Sequence, residues 1–156
     1  MQKLMFTSVA FAIVMAAAGT AIGEEIEIKM LNEGTKGRMV FEPDFVAADI
    51  GDTITFVPTD RGHNAETIRG MIPSGADPFK SKINAEFSVT MTEVGVYGVR
   101  CTPHYGLGMV ALVVVGTPEN VEEAKAVSAK APAKARKVFS DLFAQVDLAE
   151  QAEPEE

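Results

Sequence analysis

The sequence has little of three things: cysteine, histidine and positive charge. Of its 156 residues, one is a cysteine, Cys101, and two are histidines, His63 and His104. A single cysteine excludes a disulfide within the chain. Acidic residues outnumber basic ones by 22 to 14, which gives a formal net charge of −8. Such a chain lacks the broad basic surface that nucleic-acid binding requires, so we expect no nucleic-acid partner.

The N-terminal segment has the pattern of a secretory signal peptide. Lys3 provides a short positive start, Leu4 to Ala18 is apolar apart from two hydroxyl residues, and small residues follow. This apolar stretch is shorter than the about 20 residues that a membrane-spanning helix needs, so we expect no membrane attachment. We predict removal of residues 1–23 by cleavage after Gly23, with cleavage after Ala21 as the alternative. Loss of Lys3 would bring the net charge to −9.

Residues 24–116 show the alternation of apolar and polar residues that is typical of half-buried strands. About seven or eight short strands separated by turn residues predict a mainly β, two-sheet antiparallel sandwich. Residues 58–86 are rich in proline and glycine and predict an irregular surface loop of the kind that often carries function. The predicted strands are 25–30, 39–41, 45–48, 53–57, 87–91, 96–100 and 110–115.

After Gly116 the pattern becomes helical. A first helix is predicted from Pro118 to about Ala131, and Pro132 suits the first turn of a second helix. We therefore predict a helical hairpin over residues 117–149 that packs on the sandwich, followed by an acidic disordered tail over residues 150–156. An apolar stripe in the second helix supports the packing: Val138, Phe139, Leu142, Phe143 and Val146.

Most of the side chains that could bind a soft metal ion lie in one short segment. Cys101, His104 and Met109 fall within nine residues of each other, between two predicted strands. A thiolate, an imidazole and a thioether can therefore meet at one end of the sandwich, and His63, in the long loop, is the remaining imidazole. Two imidazoles and one thiolate with a weak axial thioether form a blue-copper electron-transfer site. The residues thus predict a copper site.

Other interpretations of the same residues stay open at this point. A structural zinc site usually takes four cysteine or histidine ligands, and this chain offers three. Cys101 and His104 could form a nucleophilic pair, although no orienting acid is evident. Met109 could be core packing, His63 a surface histidine and Cys101 a buried free thiol. At the level of function, a copper-storage or delivery protein and a metal-free structural module are the alternatives to an electron carrier.

Several motifs resemble those of one protein family. They are Met39-Val40-Phe41-Glu42-Pro43, Gly62-His63-Asn64, Lys80-Ser81-Lys82-Ile83-Asn84 and Cys101-Thr102-Pro103-His104-Tyr105-Gly106. From residue 24 to about 145 the sequence resembles the pseudoazurins, bacterial cupredoxins with a type 1 copper site. The resemblance implies a Greek-key sandwich with two C-terminal helices. It also implies a non-enzymatic one-electron carrier whose single copper ion cycles between Cu(II) and Cu(I), with His63, Cys101, His104 and Met109 as ligands.

The resemblance implies roles for two further residues and a cellular setting. Asn64 would hold the loop behind His63 and offer its backbone N–H to the Cys101 sulfur, and Pro103 would remove a competing N–H. The protein would act in the periplasm, and a monomer is the default expectation because the sequence does not show the oligomeric state. It would exchange electrons with copper nitrite reductase during denitrification or with c-type cytochromes.

The resemblance also implies a face for brief docking of these partners. Its centre would be an apolar patch around His104 formed by Met39, Pro103, Leu107 and the neighbours of Met109. Its edge would be a basic ring formed by Arg61, Lys80, Lys82 and Arg100. Glu33 stands where the family has a lysine, which reduces the positive charge of this face.

Overall fold

Eight strands form two four-stranded sheets, and two helices follow them. The structure is a computed structural model that describes residues 22–152, and the side chains of residues 150 and 152 are not described. The predicted signal peptide therefore lies outside the described residues apart from Ile22 and Gly23. The strands are β1 (Glu25–Gly34), β2 (Gly37–Glu42), β3 (Phe45–Ala48), β4 (Thr53–Val57), β5 (Glu66–Thr67), β6 (Phe87–Thr90), β7 (Gly95–Arg100) and β8 (Val110–Val115). The helices are α1 (Val121–Ser128) and α2 (Ala133–Ala152).

The two sheets are mixed, which corrects the prediction of a purely antiparallel sandwich. The first sheet has the order β2-β1-β4-β6 and the second has β3-β8-β7-β5. β1 and β4 are parallel, with Ile28 opposite Phe56, and so are β3 and β8, with Val46 opposite Val113. The remaining neighbours are antiparallel. Alternation of apolar residues reports which face of a strand is buried but not the direction of its neighbour, so the sequence pattern could not distinguish the two arrangements.

β8 packs against the other sheet on one face and against the helices on the opposite face. All six of its residues are buried, as its unbroken apolar sequence predicted. Ala111, Val113 and Val115 belong to the core between the two sheets, whereas Leu112 and Val114 belong to a second core beneath the helices. The strand is therefore covered on both faces. This central strand begins directly after Met109, so the metal-binding segment is attached to the most buried part of the fold.

The helices pack as the apolar stripe predicted. Phe139, Leu142, Phe143 and Val146 are buried in the second core, and Val138 packs against it. Asn120, at the N-cap position of α1, accepts a hydrogen bond from the Val96 N–H (2.7 Å) and donates one to the Val96 carbonyl (3.0 Å), which ties the helix to β7. Within residues 22–152 no helix combines the length and the hydrophobicity needed to cross a bilayer.

The predicted C-terminal boundary differs from the structure. The prediction placed residue 150 in a disordered tail, but α2 continues to Ala152, and residues 153–156 lie outside the described residues. The sequence 148–152 consists of leucine, alanine, glutamate and glutamine, all of which favour helix, so its acidic character did not end the helix.

The long loop of residues 58–86 contains structure that the prediction missed. β5, only two residues long, pairs with the C-terminal end of β7, and an isolated bridge joins Glu66 to Lys80. These pairings hold the loop against the second sheet. A short 3₁₀ helix, Tyr105–Leu107, also forms between β7 and β8.

Candidate metal centre

Two connections at the same end of the sandwich carry the candidate ligands. His63 lies between β4 and β5, and the segment from Cys101 to Met109 joins β7 to β8. Backbone hydrogen bonds close that segment tightly: the N–H of Cys101 donates to the Met109 carbonyl (3.0 Å), and the N–H of Met109 donates to the His104 carbonyl (3.2 Å). Gly108 has a φ of +90°, a conformation that glycine adopts without strain, and the turn depends on it. The local backbone therefore fixes the positions from which the Cys101 and His104 side chains extend.

The three strongest donors meet at one point. The Nδ1 atoms of His63 and His104 are 3.1 Å apart, and the Cys101 Sγ lies 3.7 Å from the first and 3.5 Å from the second. Nitrogen and sulfur ligands bind a metal ion of the size of zinc at about 2.0–2.3 Å, so the donor atoms around one ion lie about 3–4 Å from each other. The observed separations fit a single shared ion. Within the described part of the chain, this is the one group of three or more His, Cys, Asp or Glu side chains that could hold a metal ion.

The donors differ in their access to solvent. His63, Cys101 and Met109 are fully buried, whereas His104 is partly exposed. Burial, together with the nearby imidazole of His104, lowers the pKa of His63, so its Nδ1 is available to a metal at neutral pH. Burial raises the pKa of the Cys101 thiol, and the backbone N–H groups of Asn64 and His104 partly oppose that rise. A bound cation would supply the positive charge that a thiolate needs in this dry position.

Asn64 has the position that the resemblance implied. Its side-chain carbonyl accepts the Thr102 N–H (2.8 Å), and its side-chain amide donates to the Thr102 hydroxyl (3.0 Å). These two bonds join the residue after His63 to the residue after Cys101. The two ligand-carrying connections are thereby held together by protein groups that are not themselves ligand atoms.

Two further asparagines position His63, and the sequence reasoning assigned them no role. The Asn32 side-chain oxygen lies 2.9 Å from His63 Nε2, so Nε2 carries the proton and Nδ1 keeps its lone pair. Asn84, in a left-handed conformation (φ 63°), accepts the Gly62 N–H with its side chain (2.6 Å) and donates its own N–H to the His63 carbonyl (2.9 Å). Asn84 stands in one of the family-like motifs, but Asn32 and Asn84 lie 31 and 21 positions from His63, and only the fold brings them near.

The surroundings of Cys101 and His63 argue against a catalytic Cys-His nucleophilic pair. A Cys-His nucleophilic pair needs a base that is oriented by a third group, and the thiolate must be accessible to a substrate. Here Cys101 is completely buried and lies between two imidazoles, and the group that orients His63 is the neutral amide of Asn32. The arrangement is suited to holding an ion and not to attacking a substrate.

The comparisons with known proteins agree with this geometry. The sequence model of the family described as copper binding proteins, plastocyanin/azurin family, matches residues 28–116. A pseudoazurin of Paracoccus pantotrophus is 51% identical over 139 residues, which cover 88% of this chain and 94% of that protein. The chain belongs to the pseudoazurins. A pseudoazurin of Methylorubrum extorquens is 45% identical over 145 residues, covering 92% of this chain and 97% of that one.

A solved pseudoazurin structure shows the same fold. The crystal structure of pseudoazurin from Methylobacterium extorquens AM1 superimposes with a TM-score of 0.76 at 49% identity, and it covers 79% of this chain and 99% of that one. The prediction of a cupredoxin sandwich with two C-terminal helices is thus confirmed. As a pseudoazurin, the chain is a copper-binding electron-transport protein and not an enzyme, and copper is its cofactor. Zinc and the metal-free module are no longer needed as explanations.

The surface around His104 has apolar and basic side chains near each other. Leu107 is half exposed, and Pro103 is exposed beside it on the same connection. A shallow cavity of about 630 Å³ next to Pro103 is lined by Lys80, Lys82 and the half-exposed Ile83. Ile83 was absent from the predicted apolar patch because nothing in the sequence places it beside Pro103.

Proposed function

We propose that the protein is a periplasmic one-electron carrier in which His63, Cys101, His104 and Met109 hold the copper ion. When bound, copper supplies the redox couple between Cu(II) and Cu(I). The observation that carries the proposal is the convergence of the two Nδ1 atoms and the Cys101 Sγ within 3.1–3.7 Å of one another. The segment before Glu24, with its signal-peptide pattern, supports the location.

Each residue has a distinct part in this proposal. His63 and Cys101 are fixed from behind by Asn32 and by the Asn64–Thr102 pair, so they move little whichever charge the ion carries. Met109 is fully buried, and its backbone is tied to Cys101 and His104, so its thioether would be the fourth and weaker ligand of a copper ion. His104 is the candidate ligand nearest solvent, so a partner approaches the ion most closely at its imidazole.

The proposed partners are copper nitrite reductase and c-type cytochromes, which would dock briefly at the His104 patch. Pro103 and Leu107 provide exposed apolar contact, and Arg61 and Lys82 are exposed basic residues in the proposed ring. Redox encounters of this kind use small interfaces and rely on charge to bring the molecules together. The whole chain is acidic, so the basic ring would orient an acidic partner toward this face.

Stopped-flow measurement of electron exchange with a c-type cytochrome or copper nitrite reductase tests this docking. We expect the second-order rate constant to fall as ionic strength rises, because salt screens the attraction between the basic ring and the partner. The double variant Arg61→Gln, Lys82→Gln should react more slowly at low salt and depend less on salt. Lys130→Gln, Lys137→Gln, which removes the same charge from the helical region, is the matched control. A rate constant that is flat from low to high salt would rule out the proposed ring.

Copper storage or delivery is the alternative, and copper retention distinguishes the two functions. A carrier holds its ion in a rigid site of mixed ligands, and Asn32, Asn64 and Asn84 provide that rigidity here. We expect the copper-loaded protein to give a reversible one-electron wave in voltammetry and to keep its metal in both oxidation states in the presence of a competing Cu(I) chelator. Rapid transfer of copper to the chelator on reduction would favour delivery.

A further inference from the structure

The Glu66 side chain contacts Arg100 and Lys80 of the basic ring and also Thr102, the residue after Cys101. Its side chain is only 17% exposed, and three groups surround its carboxylate. The Thr102 hydroxyl donates to Oε2 at 2.7 Å, the Arg100 Nε donates to the same oxygen at 3.2 Å, and the Lys80 Nζ lies 3.4 Å from Oε1. Two members of the proposed basic ring are therefore paired with an acidic residue of the same chain.

Strand pairing puts these groups around Glu66. In the register of β5 and β7, Glu66 is directly opposite Arg100, and on its other side an isolated bridge pairs it with Lys80. Beyond this pair, Thr102 follows Arg100 by two residues and Asn64 precedes Glu66 by two, and hydrogen bonds between Thr102 and Asn64 continue the contact of the two segments. The ring of Tyr105 lies under the Arg100 guanidinium at 5.2 Å and helps to hold it. The backbone thus fixes the arrangement, and it does not depend on a chance contact of long side chains.

The direction of the hydrogen bonds gives Glu66 a specific effect on the site. A carboxylate only accepts hydrogen bonds, so the Thr102 hydroxyl donates to Glu66 and can only accept hydrogen bonds from other groups. The Asn64 side-chain amide donates to that same hydroxyl oxygen at 3.0 Å. Burial would raise the pKa of Glu66, but the hydrogen bonds from Thr102 and Arg100 and the ion pair with Lys80 hold it below its usual value, so the carboxylate stays ionised. Glu66 therefore orients the donor–acceptor pair that joins the residues following His63 and Cys101.

We propose, building on the copper-carrier function above, that Glu66 is a positioning residue of the copper centre. It acts through the Thr102 hydroxyl on the Asn64 side chain, and it places one negative charge behind the ligand-carrying connections. It also cancels one of the two charges of Lys80 and Arg100, so these residues contribute a net charge of about +1 to the docking face instead of +2.

Copper-loaded Glu66→Gln tests the proposal. A glutamine side chain has nearly the same size but carries an amide in place of the ionised carboxylate, so its hold on the Thr102 hydroxyl and on the two basic groups is weaker. We expect the reduction potential to rise, because a negative charge that favours Cu(II) over Cu(I) is lost. We also expect the copper–sulfur absorption band and the copper hyperfine splitting in electron paramagnetic resonance to change, because the Asn64–Thr102 pair loosens. Electron exchange with an acidic partner should become more strongly dependent on salt.

Two comparisons separate this role from a general effect of charge. Glu33→Gln makes the same change in charge, and the Glu33 side chain has no hydrogen bond or ion pair with the described residues, so its spectra should stay those of the unchanged protein. Thr102→Val removes the hydroxyl and keeps the carboxylate. If Glu66 acts through that hydroxyl, the variant that combines Glu66→Gln with Thr102→Val should show the same spectral changes as Thr102→Val alone.

The outcomes that would overturn the inference are distinct. Unchanged spectra and potential in Glu66→Gln would show that Glu66 is only a surface ion pair. Strictly additive spectral effects of Glu66→Gln and Thr102→Val would show that it does not act through the hydroxyl. If the unsubstituted protein gave no blue copper spectrum, the proposed function and this inference would fail together, whereas a blue protein with a silent Glu66→Gln change defeats the inference alone.

Discussion

His63 and His104 present the same ring nitrogen to the same point, yet they have different surroundings. His63 is fully buried and its second nitrogen is bonded to Asn32, whereas His104 is partly exposed at the start of the short 3₁₀ helix. One imidazole is therefore buried and held by a hydrogen bond, and the other faces the solvent. This difference at single residues gives the centre one protected side and one side that a partner can reach.

Replacement of Met109 by glutamine tests its place among the ligands. Met109→Gln should lower the reduction potential and leave the fold intact, because a harder axial oxygen favours Cu(II) relative to a thioether. Met91→Leu is the control, since Met91 is a buried methionine of the same core and a change of similar volume there costs less than about 1.5 kcal/mol. Voltammetry of both variants provides the measurement. A potential that is unchanged in Met109→Gln would remove Met109 from the ligand set.

Much of the centre could be predicted from residue types alone, and part could not. Cys101, His104 and Met109 are close in sequence, and with one cysteine and two histidines available, His63 was the remaining imidazole. Asn32 and Asn84 could not be found in this way, because an asparagine has many possible roles and its distance from His63 in space depends on the fold. The role of Glu66 was likewise invisible, since Glu66 lies in a two-residue strand that has no periodic signal.

At the scale of elements, α2 contributes more buried residues to the second core than any other helix or strand, and its pattern was readable. Phe139, Leu142 and Phe143 repeat at the helical spacing and are at most 3% exposed. Strand positions were also readable from alternation, but the parallel pairing of β1 with β4 was not, because strand direction depends on how the chain crosses between sheets. The helix continued beyond residue 149 since acidic residues such as glutamate are compatible with a helix.

Truncation of one buried residue of α2 tests the contribution of that helix. Phe139→Ala should lower the free energy of unfolding by about 3–5 kcal/mol, because it leaves a cavity in a fully buried position. Leu148→Ala, on the same helix but 66% exposed, should change it by less than about 0.5 kcal/mol. Denaturant unfolding of the copper-free forms gives both values. Equal effects of the two substitutions would mean that α2 does not pack on the sandwich as described.

At the scale of the whole molecule, the chain is acidic while its proposed docking face is basic. The formal charge is −8, yet Arg61 and Lys82 are exposed around the end that carries the copper centre. The opposite signs give the molecule an electric dipole, which orients it in the field of a charged partner. Burial lowers the pKa of His63 and raises the pKa of Cys101, so the stability of the copper-free molecule also depends on pH.

Removal of copper should make stability depend on pH in both directions. The pKa of His63 is lowered by burial, so below about pH 6.5 the unfolded chain binds a proton that the folded chain does not, and the free energy of unfolding falls as pH falls. The pKa of Cys101 is raised by burial, so above about pH 8.5 the unfolded thiol ionises first, and the free energy of unfolding falls as pH rises. Denaturant midpoints at pH 5, 7 and 9.5 would show both losses.

Two controls complete this measurement. Copper-free Cys101→Ser should lose the alkaline decrease and keep the acidic one, because a serine hydroxyl does not ionise in this range. The copper-loaded protein should instead gain stability as pH rises from 6 to 8, since bound metal keeps both ligands deprotonated while the unfolded chain protonates its thiol and imidazoles. A copper-free protein equally stable at pH 5 and pH 7 would contradict the buried, neutral state assigned to His63.

The most direct test of the whole account is the spectrum of the purified protein after addition of one equivalent of Cu(II). A short bond between copper and the Cys101 sulfur in a site shared with two imidazoles predicts an intense blue colour and a narrow copper hyperfine splitting, both absent in Cys101→Ser. A colourless solution, or an ordinary tetragonal Cu(II) spectrum that Cys101→Ser leaves unchanged, would contradict a thiolate and two imidazoles meeting at one ion.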